Sequence, residues 1–206
     1  MSGRGLLVSI DGPGGAGKST LARLAADQLT AAGIQTLATA EPSTGPIGVL
    51  ARGHTHELGG LALACLVAAD RYHHLDTQVR PALATGTVVI CDRYTPSSHV
   101  LQALDGVDPD FIQLLNRHAD LPDLAVLLTC NLDTLHQRLS DRGSHGRFED
   151  TPGISHAETA RYQHVADQLT ASGIQVLGLD STIEPPELLA ARLVARVQAL
   201  RSLTQQ

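Results

Sequence analysis

The sequence predicts an α/β protein in which a five-stranded parallel sheet is flanked by helices on both faces. Five short apolar runs, each of strand length, alternate with segments of helical length and periodicity. In addition, 43% of the 206 residues are hydrophobic, with only two Phe, three Tyr and no Trp, which indicates an aliphatic core. A chain of this length typically forms one domain, and we expect residues 1–206 to do so.

The apolar runs are interpreted as buried strands because they are short and lie between helical segments. In chain order they are Leu6–Asp11, Ile34–Ala40, Thr87–Asp92, Leu124–Cys130 and Ile174–Asp180. The predicted helices run approximately over Ser19–Ala32, Ile47–Leu58, Leu61–Ala84, Asp108–Ala119, Leu132–Arg142, His156–Ala171 and Pro185–Arg201. The stretch Ser140–Ser155 is rich in Gly and charged residues, so it is predicted to be a mobile loop.

Charge and hydropathy argue against several classes of partner. The 15 basic and 21 acidic residues give a formal net charge of −6, which disfavours general nucleic-acid binding and a polybasic membrane anchor. The apolar stretch Leu58–Ala69 is too short for a membrane span, which needs about 20 residues. The run Leu6–Ile10 is too short for a signal-peptide core. We therefore expect no nucleic-acid or membrane partner.

The cysteines and histidines do not form a recognisable metal or disulfide pattern. Cys65, Cys91 and Cys130 are far apart and lie in apolar runs, which predicts buried free thiols in a reducing compartment and a cytoplasmic location. His73 and His74 are adjacent, but zinc sites usually need three or four convergent ligands. Solvated histidine side chains are the favoured interpretation of this pair.

Residues 12–19 match the phosphate-binding pattern G-x-x-x-x-G-K-[S/T], between a predicted strand and a predicted helix. The predicted nucleotide-binding residues of this loop are Gly12, Pro13, Gly14, Gly15, Ala16, Gly17, Lys18, Ser19 and the following Thr20. Glycines allow backbone N–H groups to turn towards a phosphate, and the helix N-terminus adds partial positive charge. Lys18 is expected to reach the β- and γ-phosphates, and the Ser19 hydroxyl to bind Mg²⁺.

This loop predicts ATP or GTP binding on a P-loop NTPase-type three-layer sandwich. Lys18 is the single lysine of the sequence, so the guanine-binding motif N-K-x-D of switch GTPases is absent. Its compact ammonium fits a tight loop that the broad guanidinium of Arg does not. The remaining motifs favour a small-molecule kinase that uses ATP and Mg²⁺.

The segment Cys91–Ser98, with sequence CDRYTPSS, resembles the DR[YH]-x-x-S-S motif of thymidylate kinases. Further segments resemble the family in the same order, namely Glu41-Pro42, Pro46–Gly48 with Arg52, Ala68–Arg71, Leu121–Leu124, Arg142-Gly143 with Arg147–Glu149, and Leu179–Thr182. Since these matches span nearly the whole chain, the protein is identified as a member of this family. The resemblance implies a kinase that transfers the γ-phosphate of ATP to dTMP or a related pyrimidine nucleotide, a short lid at about 140–155, and a homodimer.

The resemblance also implies roles on the phosphate-donor side. The implied catalytic residues are Lys18, Arg93, Arg142 and Arg147. Arg93 is placed between the donor and acceptor phosphates, and Asp92 joins Ser19 in holding Mg²⁺. The two lid arginines are expected to close over the triphosphate. Arg138 lies one helical turn before Arg142, so it is expected to line the adenine side.

A second set of positions is implied to bind the phosphate acceptor. These residues are Glu41, Arg52, Val67, Arg71, Tyr94, Ser98, Leu101 and Gln102. Arg52 is similar to the family's clamp on the acceptor phosphate. Arg71, Ser98 and Gln102 are similar to its base-recognition residues, whose guanidinium, hydroxyl and amide groups can hydrogen-bond a pyrimidine ring.

Four positions depart from the family pattern, and all four are on the acceptor side. Val67 replaces a Phe that stacks on thymine, and Leu101 replaces an aromatic residue that guards against ribose. Gly14 replaces an acidic residue that holds the 3′-hydroxyl, and Ala40 replaces an Arg. These departures favour the hypothesis of an altered acceptor, namely a ribose-bearing or base-modified pyrimidine nucleotide. dTMP stays the expected acceptor, and another small metabolite is a further alternative. A non-catalytic nucleotide-binding protein is a further alternative, which the intact donor-side residues disfavour.

Overall fold

A computed structural model of the protein describes residues 3–143, 148 and 153–204. Its strands are β1 (Leu7–Asp11), β2 (Thr36–Ala40), β3 (Val88–Asp92), β4 (Leu124–Thr129) and β5 (Val176–Asp180). Its helices are α1 (Lys18–Ala31), α2 (Pro46–Gly53), α3 (Gly60–His74), α4 (Arg80–Ala84), α5 (Thr95–Leu104), α6 (Pro109–Asn116), α7 (Leu132–Arg142), α8 (Ile154–Ala171) and α9 (Pro186–Thr204). The predicted α/β class is confirmed.

The five strands form one parallel sheet in the order β2-β3-β1-β4-β5. β1, β3 and most of β4 are buried, whereas β2 and β5 are only partly buried because they are the edges of the sheet. The prediction that all five strands are buried is therefore wrong for β2 and β5. The central position of β1 places the loop that follows it at the middle of the carboxyl edge, where open α/β sheets bind ligands.

Helices cover both faces of the sheet, as a three-layer sandwich requires. Alternate residues of β1 point to opposite faces, so Val8 and Ile10 belong to one core cluster and Leu7 to another. The first cluster includes Leu21 of α1 and Leu193 of α9, and these two helices pack against each other. The second cluster contains buried side chains of the segment that follows α3.

The predicted helix Leu61–Ala84 is present, but its hydrogen bonding changes along its length. A π-helical turn, Leu75–Val79, separates α3 from α4. His74, at the end of α3, is 2% exposed and hydrogen-bonds Glu41 and Thr39, so the prediction of a solvated side chain is wrong there. Burial is possible because polar partners surround both of its ring nitrogens.

Helix α5 is the main element that the sequence did not predict. It begins at Thr95, and Pro96 lies in its first turn, where a missing N–H removes no helical hydrogen bond. Cys65 also differs from expectation, because it is an exposed free thiol on α3, while Cys91 and Cys130 are buried. None of the helices in the described ranges is long and apolar enough to cross a membrane.

Candidate active site

The phosphate loop has the backbone that its glycines predict. Gly12, Gly15 and Gly17 have φ values of 151°, 81° and 98°, a region that favours glycine. A Cβ atom at Gly12 would lie 2.2 Å from the carbonyl oxygen of Leu128 in β4, so a side chain cannot be accommodated there. Gly17 directly precedes the first residue of α1, and this turn directs the helix N-terminus at the loop.

Lys18 is buried at the base of this loop. The residue is only 6% exposed, and its Nζ donates to the carbonyl oxygen of Pro13 at 2.8 Å. Burial lowers the pKa of this ammonium to about 7, and the nearby Arg93 guanidinium acts in the same direction. An anionic ligand in the loop would oppose both effects and favour the charged form.

Ser19 and Asp92 form an oxygen-rich pair beside the loop. The Ser19 hydroxyl donates to Oδ2 of Asp92 at 2.5 Å. Oδ1 of Asp92 is buried, and no donor among the described residues reaches it. A hydroxyl and a carboxylate with an unused buried oxygen suit a hard cation such as Mg²⁺, which prefers oxygen ligands.

A cavity of about 390 Å³ opens beside the loop at the carboxyl ends of β2 and β3. Most of the predicted site residues line it, namely Gly15, Gly17, Lys18, Ser19, Thr20, Glu41, Arg52, Val67, Arg71, Asp92, Arg93, Tyr94, Ser98, Leu101 and Gln102. Residues that were not predicted also line it, namely Pro42, Ala51, Thr55, Leu63, Ser97, Phe148 and Glu158. The structure thus brings donor-side and acceptor-side candidates into one cavity.

Arg71 lies in the cavity wall formed by the predicted acceptor-binding residues, the acceptor wall. Its Nε donates to Oε2 of Glu41 at 2.7 Å, its Nη2 to the Ser98 hydroxyl at 2.9 Å, and its Nη1 to Oδ1 of Asn116. The guanidinium carbon lies 5.3 Å from the centre of the Tyr94 ring. These contacts use three of the five N–H groups of the side chain and fix its plane, so others can donate to a ligand.

Glu41 and Tyr94 both contact the Arg71 side chain. Oε1 of Glu41 lies 3.2 Å from Nδ1 of His74, so both carboxylate oxygens have protein partners. Tyr94 is fully buried, and its hydroxyl donates to the carbonyl oxygen of Asp120 at 2.8 Å. Sequence reasoning assigned both residues to substrate binding. Both line the cavity, and both also contact Arg71, Glu41 through a hydrogen bond and Tyr94 through its ring.

Helix α5 supplies the neighbouring wall of the cavity. Ser98 and Gln102 are one turn apart, so they share a face of the helix, and both are buried. Within the described part of the chain, nothing donates to the buried Oε1 of Gln102. Val67 and Leu101, both half-buried, complete an aliphatic surface around these polar groups.

Arg93 has a strained backbone at the boundary between the two halves of the cavity. Its φ is 68°, in the left-handed region that non-glycine residues rarely adopt. Its backbone N–H donates to the carbonyl oxygen of Ile10 at 2.9 Å, which holds it against β1. Nη1 of Arg93 is buried, and the described residues offer it no acceptor. Such a guanidinium suits a bridging phosphate.

The other predicted arginines have different positions. Arg52, at the end of α2, is exposed and its Nη2 donates to the carbonyl oxygen of Pro42. Arg138 lies on the far side of the phosphate loop, where Nη1 and Nη2 donate to the hydroxyl and carbonyl of Ser181 at 3.0 and 2.9 Å. Arg147 lies outside the described residues. Arg142 ends α7, but its side chain is also outside the described part.

Glu158 is the functional candidate that sequence reasoning missed. It is 3% exposed, and its Oε2 accepts a hydrogen bond from the backbone N–H of Gly14 at 2.9 Å. Its neighbours on the buried face of α8 are Ser155, Tyr162 and Val165, which have helical spacing. This spacing of polar residues on an inward face was the one signal in the sequence that could have identified it.

The fold and the site define a nucleotide-binding phosphotransferase of the P-loop class. A phosphate-loop motif, a buried lysine and the oxygen atoms of Ser19 and Asp92 share a cavity with a second set of buried polar side chains. The sequence model of the family described as thymidylate kinase matches residues 10–180. The chain belongs to the thymidylate kinase family.

Curated relatives agree with this assignment over most of their length. The chain is 38% identical over 148 residues to "Probable thymidylate kinase" of Caldivirga maquilingensis. The aligned region covers 70% of this chain and 72% of the relative. It is 39% identical over 158 residues to "Thymidylate kinase" of Xanthomonas oryzae pv. oryzae, covering 75% and 70%. The match to "Thymidylate kinase" of Xylella fastidiosa extends over 199 residues at 33% identity, covering 95% and 92%.

Proposed function

We propose that this protein transfers the γ-phosphate of ATP to the 5′-phosphate of dTMP and releases ADP and dTDP. The observation that carries this proposal is the buried polar set on the acceptor wall. Arg71, Ser98 and Gln102 converge on the cavity that also contains Lys18 and Arg93. The family to which the chain belongs supports the same ATP-dependent reaction.

The reaction requires little covalent chemistry from the protein. An oxygen of the acceptor phosphate attacks the γ-phosphorus in line, and the bond from that phosphorus to the ADP oxygen breaks. Lys18 and the loop N–H groups hold the β- and γ-phosphates, and Arg93 offsets charge between donor and acceptor. Ser19 and Asp92 would hold Mg²⁺, which supplies further charge neutralisation. We also assign Arg142 and Arg147 to the donor triphosphate and Arg138 to the adenine side.

One observation favours a second acceptor class. The walls near the base-recognition groups are formed by Val67 and Leu101, which are aliphatic, and Ala40 leaves the end of β2 without a charged side chain. Without an aromatic guard, a ribose-bearing or base-modified pyrimidine nucleotide is the alternative acceptor.

A panel of monophosphates tests these assignments. ADP release with ATP and Mg²⁺ is measured for dTMP, dUMP, UMP and CMP, with a no-acceptor control and with Lys18→Ala as the inactive reference. We expect dTMP to have the highest kcat/KM. A higher value for UMP would replace dTMP by a ribose acceptor. Equal ADP release with and without every nucleotide would contradict a nucleotide kinase.

Assembly and location belong to the same proposal. We infer a homodimer in the cytoplasm, from the resemblance and from the three free thiols. Sedimentation velocity at micromolar concentration would measure the mass directly. A single species of 21.7 kDa would contradict the dimer.

A further inference from the structure

His74 is a buried histidine at the end of α3 whose two ring nitrogens both have partners. Nδ1 lies 3.2 Å from Oε1 of Glu41, while Nε2 lies 2.8 Å from the Thr39 hydroxyl and 3.0 Å from Oε1 of Gln78. The His74 side chain is only 1% exposed. Through Glu41, which lines the cavity, this ring is one contact away from the candidate site.

The carboxylate of Glu41 is held by two side chains of the same helix. Arg71 donates to its Oε2 at 2.7 Å, and His74 contacts its Oε1. Arg71 and His74 are three positions apart, so they share a face of α3. Because an ionised carboxylate oxygen can only accept a hydrogen bond, Nδ1 of His74 carries the hydrogen of this contact. In the neutral ring, Nε2 then accepts from the Thr39 hydroxyl.

The contact between His74 and Glu41 limits the orientation of the Arg71 guanidinium. Glu41 is the partner of Nε, while Nη1 and Nη2 donate to Asn116 and Ser98. A carboxylate held at one oxygen alone can rotate about its last bond, and the partner of Nε would then move. Held at both oxygens, it fixes the plane of the guanidinium before a ligand binds. Such pre-organisation lowers the entropic cost of binding.

The His74 ring is itself fixed from two sides. The π-helical turn Leu75–Val79 follows directly after it, and Gln78 within that turn reaches Nε2. Thr39 reaches the same nitrogen from β2. The ring is therefore held between an edge strand and a helical turn of a rare type, which often occurs at functional sites.

We propose that His74 is a positioning residue for acceptor binding, which acts through Glu41 to orient the Arg71 guanidinium towards the phosphate acceptor. This inference rests on the proposed function, because it requires an acceptor that Arg71 recognises. Since the ring acts through two other side chains, it affects binding of the acceptor and not binding of ATP.

Two substitutions of His74 separate the role of Nδ1 from that of the bulk of the ring. In His74→Asn the amide nitrogen is bonded to Cγ, as Nδ1 is in histidine, so it can still donate to Glu41. In His74→Gln the amide nitrogen is one bond further out, near the position of Nε2, and Oε1 of Glu41 loses its donor. The control is His164→Gln, at an exposed position of α8.

Steady-state kinetics with the preferred acceptor of the panel is the first measurement. We expect His74→Gln to raise the KM for this acceptor about tenfold, and His74→Asn to raise it less than about threefold, because only the first variant loses a hydrogen bond to a charged group. The KM for ATP should not change in either variant, and His164→Gln should match the wild type. Since KM does not depend on the fraction of folded protein, a loss of stability cannot produce this difference.

The second measurement does not require turnover. The Nε–H signal of Arg71 in a proton–nitrogen NMR spectrum of the free protein is assigned by its loss in Arg71→Lys, and its exchange with water reports the contact with Glu41. Exchange should be slow in the wild type and in His74→Asn. It should be about tenfold faster in His74→Gln, because loss of one hydrogen bond favours local opening.

Equal increases of the acceptor KM in His74→Asn and His74→Gln would overturn the proposal, because His74 would then act through its bulk. A wild-type acceptor KM in His74→Gln would also overturn it, since the orientation of Arg71 would then not affect the acceptor. If no nucleotide of the panel accepts phosphate, the proposed function fails instead. The exchange rates still test the positioning role in that case, and equal rates in the two variants would overturn it.

Discussion

The Nε atom of Arg71 donates to Oε2 of Glu41 at 2.7 Å, and both side chains are only 2% exposed. The partners come from different elements, since Glu41 follows β2 and Arg71 lies on α3. Their contact therefore links the carboxyl edge of the sheet to α3. A buried ion pair of this kind contributes little net stability, but the loss of one partner leaves an uncompensated charge.

We expect Glu41→Ala to lower the free energy of unfolding by about 3–5 kcal/mol, because the Arg71 guanidinium would stay buried without its counter-charge. Urea unfolding of the free protein measures this value. The matched control is Asp27→Ala, which removes an exposed i,i+4 partner of Arg23 and should cost less than about 0.5 kcal/mol. Equal losses in the two variants would show that the buried pair has no special role.

Gln102→Met should have opposite effects on stability and on substrate binding. The variant removes a buried carbonyl oxygen that lacks a donor in the described structure, so the free energy of unfolding should stay the same or rise by about 1 kcal/mol. The KM for the acceptor should rise about tenfold because a ligand hydrogen bond is lost. The KM for ATP should not change.

Steady-state kinetics and urea unfolding measure the two effects of Gln102→Met separately. Gln168→Met, at an exposed position of α8, is the control for the general effect of this substitution. A large loss of stability with an unchanged acceptor KM would assign Gln102 a purely structural role.

Features that depend on neighbouring residues in the sequence were predicted, whereas features that depend on contacts between distant parts of the chain were missed. The loop around Lys18 is a contiguous pattern between a strand and a helix, so local chemistry was sufficient to predict it. Glu158 has no local pattern, because its contact with Gly14 depends on how α8 packs against the sheet. Helix α5 was not predicted, although Pro96 is compatible with a helix there because it lies in the first turn, where a missing N–H removes no helical hydrogen bond.

The acceptor residues show a second limit of sequence reasoning. Resemblance placed Glu41 and Tyr94 with Arg71 in one binding set, and all three do line the cavity. Sequence could not show that Glu41 hydrogen-bonds Arg71 or that the Tyr94 ring lies beside its guanidinium. Those contacts depend on how β2, α3 and the residues after β3 pack together.

Nucleotide binding should be coupled to proton uptake at Lys18. The pKa of this ammonium is lowered to about 7 by burial and by Arg93, so at pH 8 much of the free protein has a neutral Lys18. Phosphates in the loop favour the charged form and raise this pKa. Binding of a non-hydrolysable ATP analogue with Mg²⁺ at pH 8 should therefore take up as much as about one proton.

Calorimetric titration in HEPES and in Tris measures this uptake, because the buffers differ in ionisation enthalpy. Lys18→Met is the control and should show less dependence on the buffer. The same shift affects stability, since between about pH 7 and pH 10.5 the unfolded chain binds the Lys18 proton more readily than the folded chain. The free energy of unfolding should thus rise with pH across this window. A binding enthalpy independent of buffer would contradict the coupling.

Val67→Phe tests whether the aliphatic wall weakens recognition of the base. Val67 is half-buried on α3, one helical turn before Arg71, and its side chain faces the cavity rather than a filled core. A ring at this position can stack on a pyrimidine held by Arg71, and such contacts contribute about 1 kcal/mol. The KM for dTMP should therefore fall about fivefold, with the KM for ATP unchanged. Leu61→Phe, at an exposed position of the same helix, is the control. An increase in the KM for dTMP in Val67→Phe would instead show that the wall is shaped for a larger acceptor. In that case, UMP and base-modified nucleotides should be compared with dTMP on the wild-type protein.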